Sequence, residues 1–125
     1  LYRKRLLAPI ETGTYWLSET PAIVGSRSWD SSLPRIATWG TFWHRERHFA
    51  FHVTNTHFDH RGDLARAISA EIIADRTAAL PADMPVIVTG DFNSHAETTV
   101  PWTNATAKGL KDAWTVAQER IGARY

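Results

Sequence analysis

The sequence has 125 residues, of which 43% are hydrophobic, enough for one core and one domain but too few for two. Its formal net charge of +1 excludes the bulk positive field of a long-duplex nucleic-acid binder, although a few local arginines would suffice to grip phosphates. With no cysteine, neither a disulfide framework nor a thiolate metal site can form.

No apolar run approaches the roughly 18 residues of a transmembrane helix, and no secretory signal is read. The chain opens Leu1-Tyr2-Arg3-Lys4 without an initiator Met, which leaves room for a leader upstream, so compartment is left open, as is oligomeric state. Glycines and prolines are scattered as punctuation, with no repeat and no linker between domains. The six tryptophans are read as core and rim packing.

In chain order, Thr12 to Ser18 has the β-branched and aromatic content of a short strand. Glu19 to Pro34, with Gly25, four serines and no periodicity, is a long loop of the kind that often carries function. Ile36 to His44 and Phe49 to Thr56 are strands that form a hairpin around the polar turn between them. Asp63 to Leu80 is a helix, with Leu64, Ile68 and Ile72 as its apolar stripe beside Ala65 and Ala79. Asp63 is its cap or first-turn anion, and Pro81 stops it. Pro85 to Thr89 is wholly apolar, as expected of a strand buried on both faces. Ser94 to Asn104 reads as loop and Lys108 to Arg120 as a second helix, with Leu110 and Trp114 on one side.

The strand–helix–strand unit from Phe49 to Thr89 predicts a parallel, right-handed crossover whose two strands end on one sheet edge. His57 leaves the first strand there, and Asp91 and Asn93 leave the second. That edge is where open α/β sheets bind ligands. A carboxylate orients and deprotonates water, a carboxamide holds a water, metal or phosphate oxygen, and an imidazole donates to a phosphoryl oxygen as charge builds. The set suits in-line hydrolysis of a phosphoester, normally with a divalent cation. Singly, each residue has an ordinary explanation, the His as a structural strand-end residue and Gly-Asp-Phe-Asn as a strand-terminating turn. Their joint placement is what favours chemistry.

Asn55-Thr56-His57, followed about 30 residues later by Gly90-Asp91-Phe92-Asn93, resembles the central motifs of the endonuclease/exonuclease/phosphatase (DNase I-like) family. Thr14 to Pro21, Ser28-Trp29-Asp30, Pro34 to Trp39 and Thr56 to Gly62 are similar to a bacterial and fungal branch of it, so the resemblance covers nearly all of the chain. It implies an α/β (α+β) fold, part of a four-layer α/β/β/α sandwich of two packed β-sheets, with residues 1–125 a partial domain incomplete at both ends. It implies a metal-dependent phosphodiesterase, nuclease or phosphatase using Mg2+ or Mn2+, whose partner is a phosphorylated substrate: nucleic acid, nucleotide or smaller phosphoester, with the near-neutral charge favouring the smaller. His57 would stabilise the scissile phosphate, Asp91 would activate water, and Asn93 would place phosphate and nucleophile. Arg61, Arg35 and Asn55 would bind substrate. Asp59 and His60 would line the cleft or face water, and Trp29 and Asp30 would form a rim. The family's principal metal ligands, an early Asn and a Glu, and its closing Asp-His pair are not found, so the resemblance implies that the principal ligands belong to a missing N-terminal part, with no firm metal ligand in this chain and Asp91 and Asn93 as the possible ones. A chain lacking those parts is expected to expose a sheet face or edge.

Two other readings compete. One is a non-catalytic phospholigand-binding module, or an inactive fragment of the hydrolase. The other is zinc held by His44, His48, His52, His57 and His60. Period-two alternation puts His44 and His52 on one sheet face and His57 elsewhere, which weighs against it.

Overall fold

A computed structural model describes residues 2–122. The β-branched and aromatic runs form a four-stranded sheet in chain order: β1 (Leu7–Trp16), β2 (Ile36–His44), β3 (Phe49–His57) and β4 (Val86–Asp91). The first three strands are antiparallel neighbours, and β3 and β4 are parallel, as the crossover through α1 (Asp63–Ala78) requires. The hairpin and crossover thus follow the sequence expectation. Strand β1 begins at Leu7 rather than Thr12, because a register shift between Pro9 and Glu11 carries the proline within the paired strand.

One sheet face is covered. Tyr15 and Ala37 of that face pack with Leu17, Phe58, Ala70 and Ile73, and Trp39, Val88 and Phe92 close around them. The helix meets the sheet through small residues. Ala65, Ser69, Ala70, Ile73, Ala74 and Thr77 are buried, whereas Leu64 is 53% exposed, so the buried stripe is rotated from the one expected. Small side chains let the helix sit close, and the larger Ile72 packs at the margin of the core. The helix begins without a side-chain cap from Gly62 or Asp63. Asp30, from the long loop, accepts the N–H groups of Leu64 (3.2 Å) and Ala65 (2.7 Å) and so caps it from outside.

The opposite face, bearing Thr14, Thr38, Asn55 and Thr89, has no layer over it among the described residues. Strand β4 is an edge strand with Ile87 48% exposed, not a strand buried on both faces. Its unbroken apolar run (Val86, Ile87, Val88) signals two faces to be covered, of which one is covered here. This is the exposed sheet face and edge expected above. Helix α2 (Val100–Thr106) replaces the end of the expected loop, started by Pro101, and packs on α1. The expected helix from Lys108 to Arg120 is reduced to α3 (Ala113–Val116), because Asp112 caps it by accepting the Trp114 N–H (2.8 Å) and the chain turns extended at Ala117.

Candidate active site

In the parallel register, His57 stands opposite Asp91 and Asn55 opposite Thr89, all four on the open face near the carboxyl edge. The His57 Nε2 to Asp91 Oδ2 separation is 3.7 Å, outside hydrogen-bond range but within ion-pair reach when the ring is protonated. Both side chains are over half exposed, at 57% and 63%, so a substrate can reach them.

Asn93 is joined to the same corner by backbone. Phe58 donates its N–H to the Asp91 carbonyl (2.9 Å), and Asn93 Nδ2 donates to the Phe58 carbonyl (2.9 Å). The Asn93 N–H also donates to Asp91 Oδ1 (2.9 Å), an Asx turn that fits the left-handed backbone of Asn93 (φ 47°). Phe92, between them, turns inward and meets Phe58 edge-on at 5.2 Å. The strand-end motif therefore divides as the sequence suggests, with the ring in the core and Asp91 facing solvent. Asn93, however, spends its amide N–H on the β3 exit, leaving its carbonyl oxygen as the acceptor for a water or cation.

A cavity of about 280 Å³ adjoins His57, lined by Pro34, Arg35, Ile36, Thr38, Asn55 and Thr56. Arg35 and Asn55 thus share one wall with His57, and the Thr89 hydroxyl orients Asn55 by donating to its Oδ1 (3.0 Å). Arg61 is exposed and pairs with no carboxylate among the described residues, and only its backbone N–H is engaged. A larger cavity of about 1100 Å³ lies among Phe58, Ile73, Val88, Phe92, Trp102 and Leu110, but His57, Asp91 and Asn93 are not on its wall.

Three sequence expectations are corrected. Asp59 is 1% exposed and faces neither cleft nor water. Its Oδ1 accepts the N–H groups of Arg61 (2.9 Å) and Gly62 (2.8 Å), and its Oδ2 accepts the Ser32 hydroxyl (2.7 Å) and the N–H groups of Ser32 (3.0 Å) and Leu33 (3.2 Å). Burial by itself pushes its pKa up, but the bonds from Gly62, Ser32, Arg61 and Leu33 outweigh it and hold the carboxyl well below the usual range. Asp30 is a helix cap rather than a substrate rim. Finally, antiparallel pairing sets His44 against Phe49 and Thr41 against His52, so His44 shares the open face with His57 while His52 lies on the other. Alternation within a strand does not carry through a hairpin turn of even length, so residue parity alone misplaces them. Among the described residues no three His, Cys, Asp or Glu side chains converge on a point, which removes the zinc arrangement.

A parallel strand pair delivering His, Asp and Asn to one edge, beside a cavity lined by Arg35, defines an α/β protein with a candidate ligand site at the carboxyl edge of its sheet. No family profile and no curated protein matches the chain. Solved structures do. The chain is 37% identical to the Bacteroides thetaiotaomicron mannosyl-6-phosphatase Bt3783 (TM-score 0.79; 86% of this chain, 40% of that one). It is 36% identical to an endonuclease/exonuclease/phosphatase from Bacteroides vulgatus (TM-score 0.86; 94% and 45%). The human Nocturnin catalytic domain, solved with sulfate, shares the fold at 17% identity (TM-score 0.68; 86% and 38%). This chain belongs to the endonuclease/exonuclease/phosphatase family, a family of phosphoester hydrolases, and spans less than half the length of these relatives.

Proposed function

We propose that the protein is a divalent-metal-dependent hydrolase of small phosphoesters in which His57, Asp91 and Asn93 act on the scissile phosphate. The observation that carries this is the in-register pair His57 and Asp91, with Asn93 tied to the chain between them. Asp91 Oδ2 faces the open side and accepts a proton from water while orienting it for in-line attack. His57 Nε2 donates to a phosphoryl oxygen as charge accumulates. The Asn93 amide oxygen holds the attacking water in place. Arg35, Asn55 and Arg61 bind the substrate's anionic oxygens around this centre.

The Asp91 carboxylate and Asn93 amide are the hard oxygen donors that Mg2+ or Mn2+ prefers. Among the described residues no three His, Cys, Asp or Glu side chains form a metal-holding group, so Asp91 and Asn93 would supply only part of the cation's shell, with water and phosphate oxygens as further ligands.

Similarity to a mannosyl-6-phosphatase, a near-neutral charge and a cavity of about 280 Å³ support a small phosphomonoester over duplex DNA. The check is hydrolysis of p-nitrophenyl phosphate against bis-p-nitrophenyl phosphate by the natural full-length protein. Turnover of the monoester should be faster, should require Mg2+ or Mn2+, and should vanish with chelator. Chelator-resistant turnover would refute the metal assignment, and a preference for the diester would refute the substrate class.

A further inference from the structure

The strongest unassigned feature is the buried carboxylate of Asp59, two residues past His57. Its two oxygens serve different clients. Oδ1 fixes the backbone of Arg61 and Gly62, where the chain turns from β3 into α1. Oδ2 fixes Ser32 and Leu33 of the long loop and lies 3.5 Å from Arg35 Nε. Arg35 Nη2 also donates to His60 Nδ1 (3.0 Å), and since a guanidinium only donates, the ring proton of His60 stands on Nε2. The Arg35 side chain is 13% exposed and lines the cavity shared with His57. Only two of its five N–H donors are engaged by described residues, so the others are free to face that cavity. A mobile arginine would lose rotamer freedom on gripping an anion, whereas one already held loses little.

We propose that Asp59 is a positioning residue that acts through Arg35: it clamps the 31–35 segment to the β3 exit and presents the guanidinium, with His60 beside it, as a preset contact for a phosphate oxygen next to His57. The proposal rests on reading this corner as a phosphoester site. Asp59 touches no substrate itself. Gly62 is part of the device, since a Cβ there would stand 2.6 Å from Asp30 Oδ1, where the same loop caps α1. Asp30 and Asp59 thus pin the long loop from both sides of one turn.

The experiment uses the natural full-length protein and two readouts, p-nitrophenyl phosphate kinetics and inorganic phosphate affinity by calorimetry. Arg35→Ala, Asp59→Asn and the double variant are compared with the unsubstituted protein. Each single change should raise KM and phosphate Kd by about tenfold with a smaller effect on kcat, and the double variant should be no worse than the more damaged single. Ser32→Ala removes one loop donor and keeps the carboxylate with its helix-side bonds. It should raise both constants about threefold, and it decides the matter if Asp59→Asn fails to fold. Effects that multiply in the double variant, or a lowered Tm with KM and Kd unchanged, overturn the proposal and leave Asp59 a purely structural residue. If the unsubstituted protein turns over nothing, the hydrolase reading fails separately, and the phosphate affinities still decide the positioning role. No phosphate binding by the unsubstituted protein overturns it.

Discussion

Gly90 carries a φ of 144°, and a Cβ built there would lie 1.9 Å from the carbonyl oxygen of Thr56 on the neighbouring strand. The residue before Asp91 must therefore be glycine if β3 and β4 are to pair at the site, which explains the first letter of Gly-Asp-Phe-Asn in backbone terms. Gly90→Ala should lower stability by about 3 kcal/mol or more, from strain and displacement of a backbone rather than of a side chain. The denaturation midpoint at unchanged m-value reads this, and a loss under about 0.5 kcal/mol would contradict it. At this scale His57, Asp91 and Asn93 were legible because a parallel strand pair converts sequence position directly into a place on an edge. Asp59 and Asp30 were not. Their partners, Ser32, Leu33 and the first turn of α1, lie about 30 residues away, and only folding of the aperiodic loop reveals them. The one local signal was Asp followed three residues later by Gly before a helix, which also describes many ordinary turns.

Elements were legible where patterning has a single solution. Strands β2 and β3 lie where alternation puts them because both are internal and paired along their length. The helix face was misjudged because hydrophobicity favours Leu64, whereas close packing on the sheet selects Ala65, Ala70 and Ala74. The C-terminal segment was overextended as a helix because the capping of α3 by Asp112 is a local event that periodicity does not register. Within β3, His52 lies on the covered face. It stacks on Trp39 at 5.5 Å, its ring nitrogens meet Thr41 and Thr54 hydroxyls at 3.1 Å each, and burial lowers its pKa below 6.5. The unfolded chain then binds the proton more readily than the folded one, so this group's contribution is favourable above about 6.5 and is lost as pH falls toward the folded value. The protein should lose stability between pH 7 and 5 more steeply than His52→Gln, as followed by thermal denaturation. Parallel curves for the two would show that His52 titrates freely in the fold.

On the scale of the whole molecule, the chain presents one finished sheet face and one open one. Ile36, Ile87, Phe49 and Ile10 are each about 40% or more exposed, and the outer edges of β1 and β4 have no strand partner among the described residues. The 125-residue chain by itself should therefore self-associate with rising concentration, as light scattering would detect. A strict monomer across micromolar to millimolar concentration would mean that the open face is tolerated by water. The open face also carries the candidate site, with His57, Asn55 and Asp91 rising from it at the carboxyl edge, so a layer over that face would also wall the proposed cleft. Family membership was legible because its two motifs both fall within these residues. Asp91 decides whether this edge catalyses hydrolysis, as proposed, or merely binds phosphate. The decisive measurement is turnover and phosphate affinity of Asp91→Asn in the natural full-length protein. The expected result is a fall in kcat of at least about 100-fold with phosphate binding retained or tightened, since a negative charge beside the anion is removed. Turnover preserved within a few-fold would contradict it and would move the water-activating role to another residue.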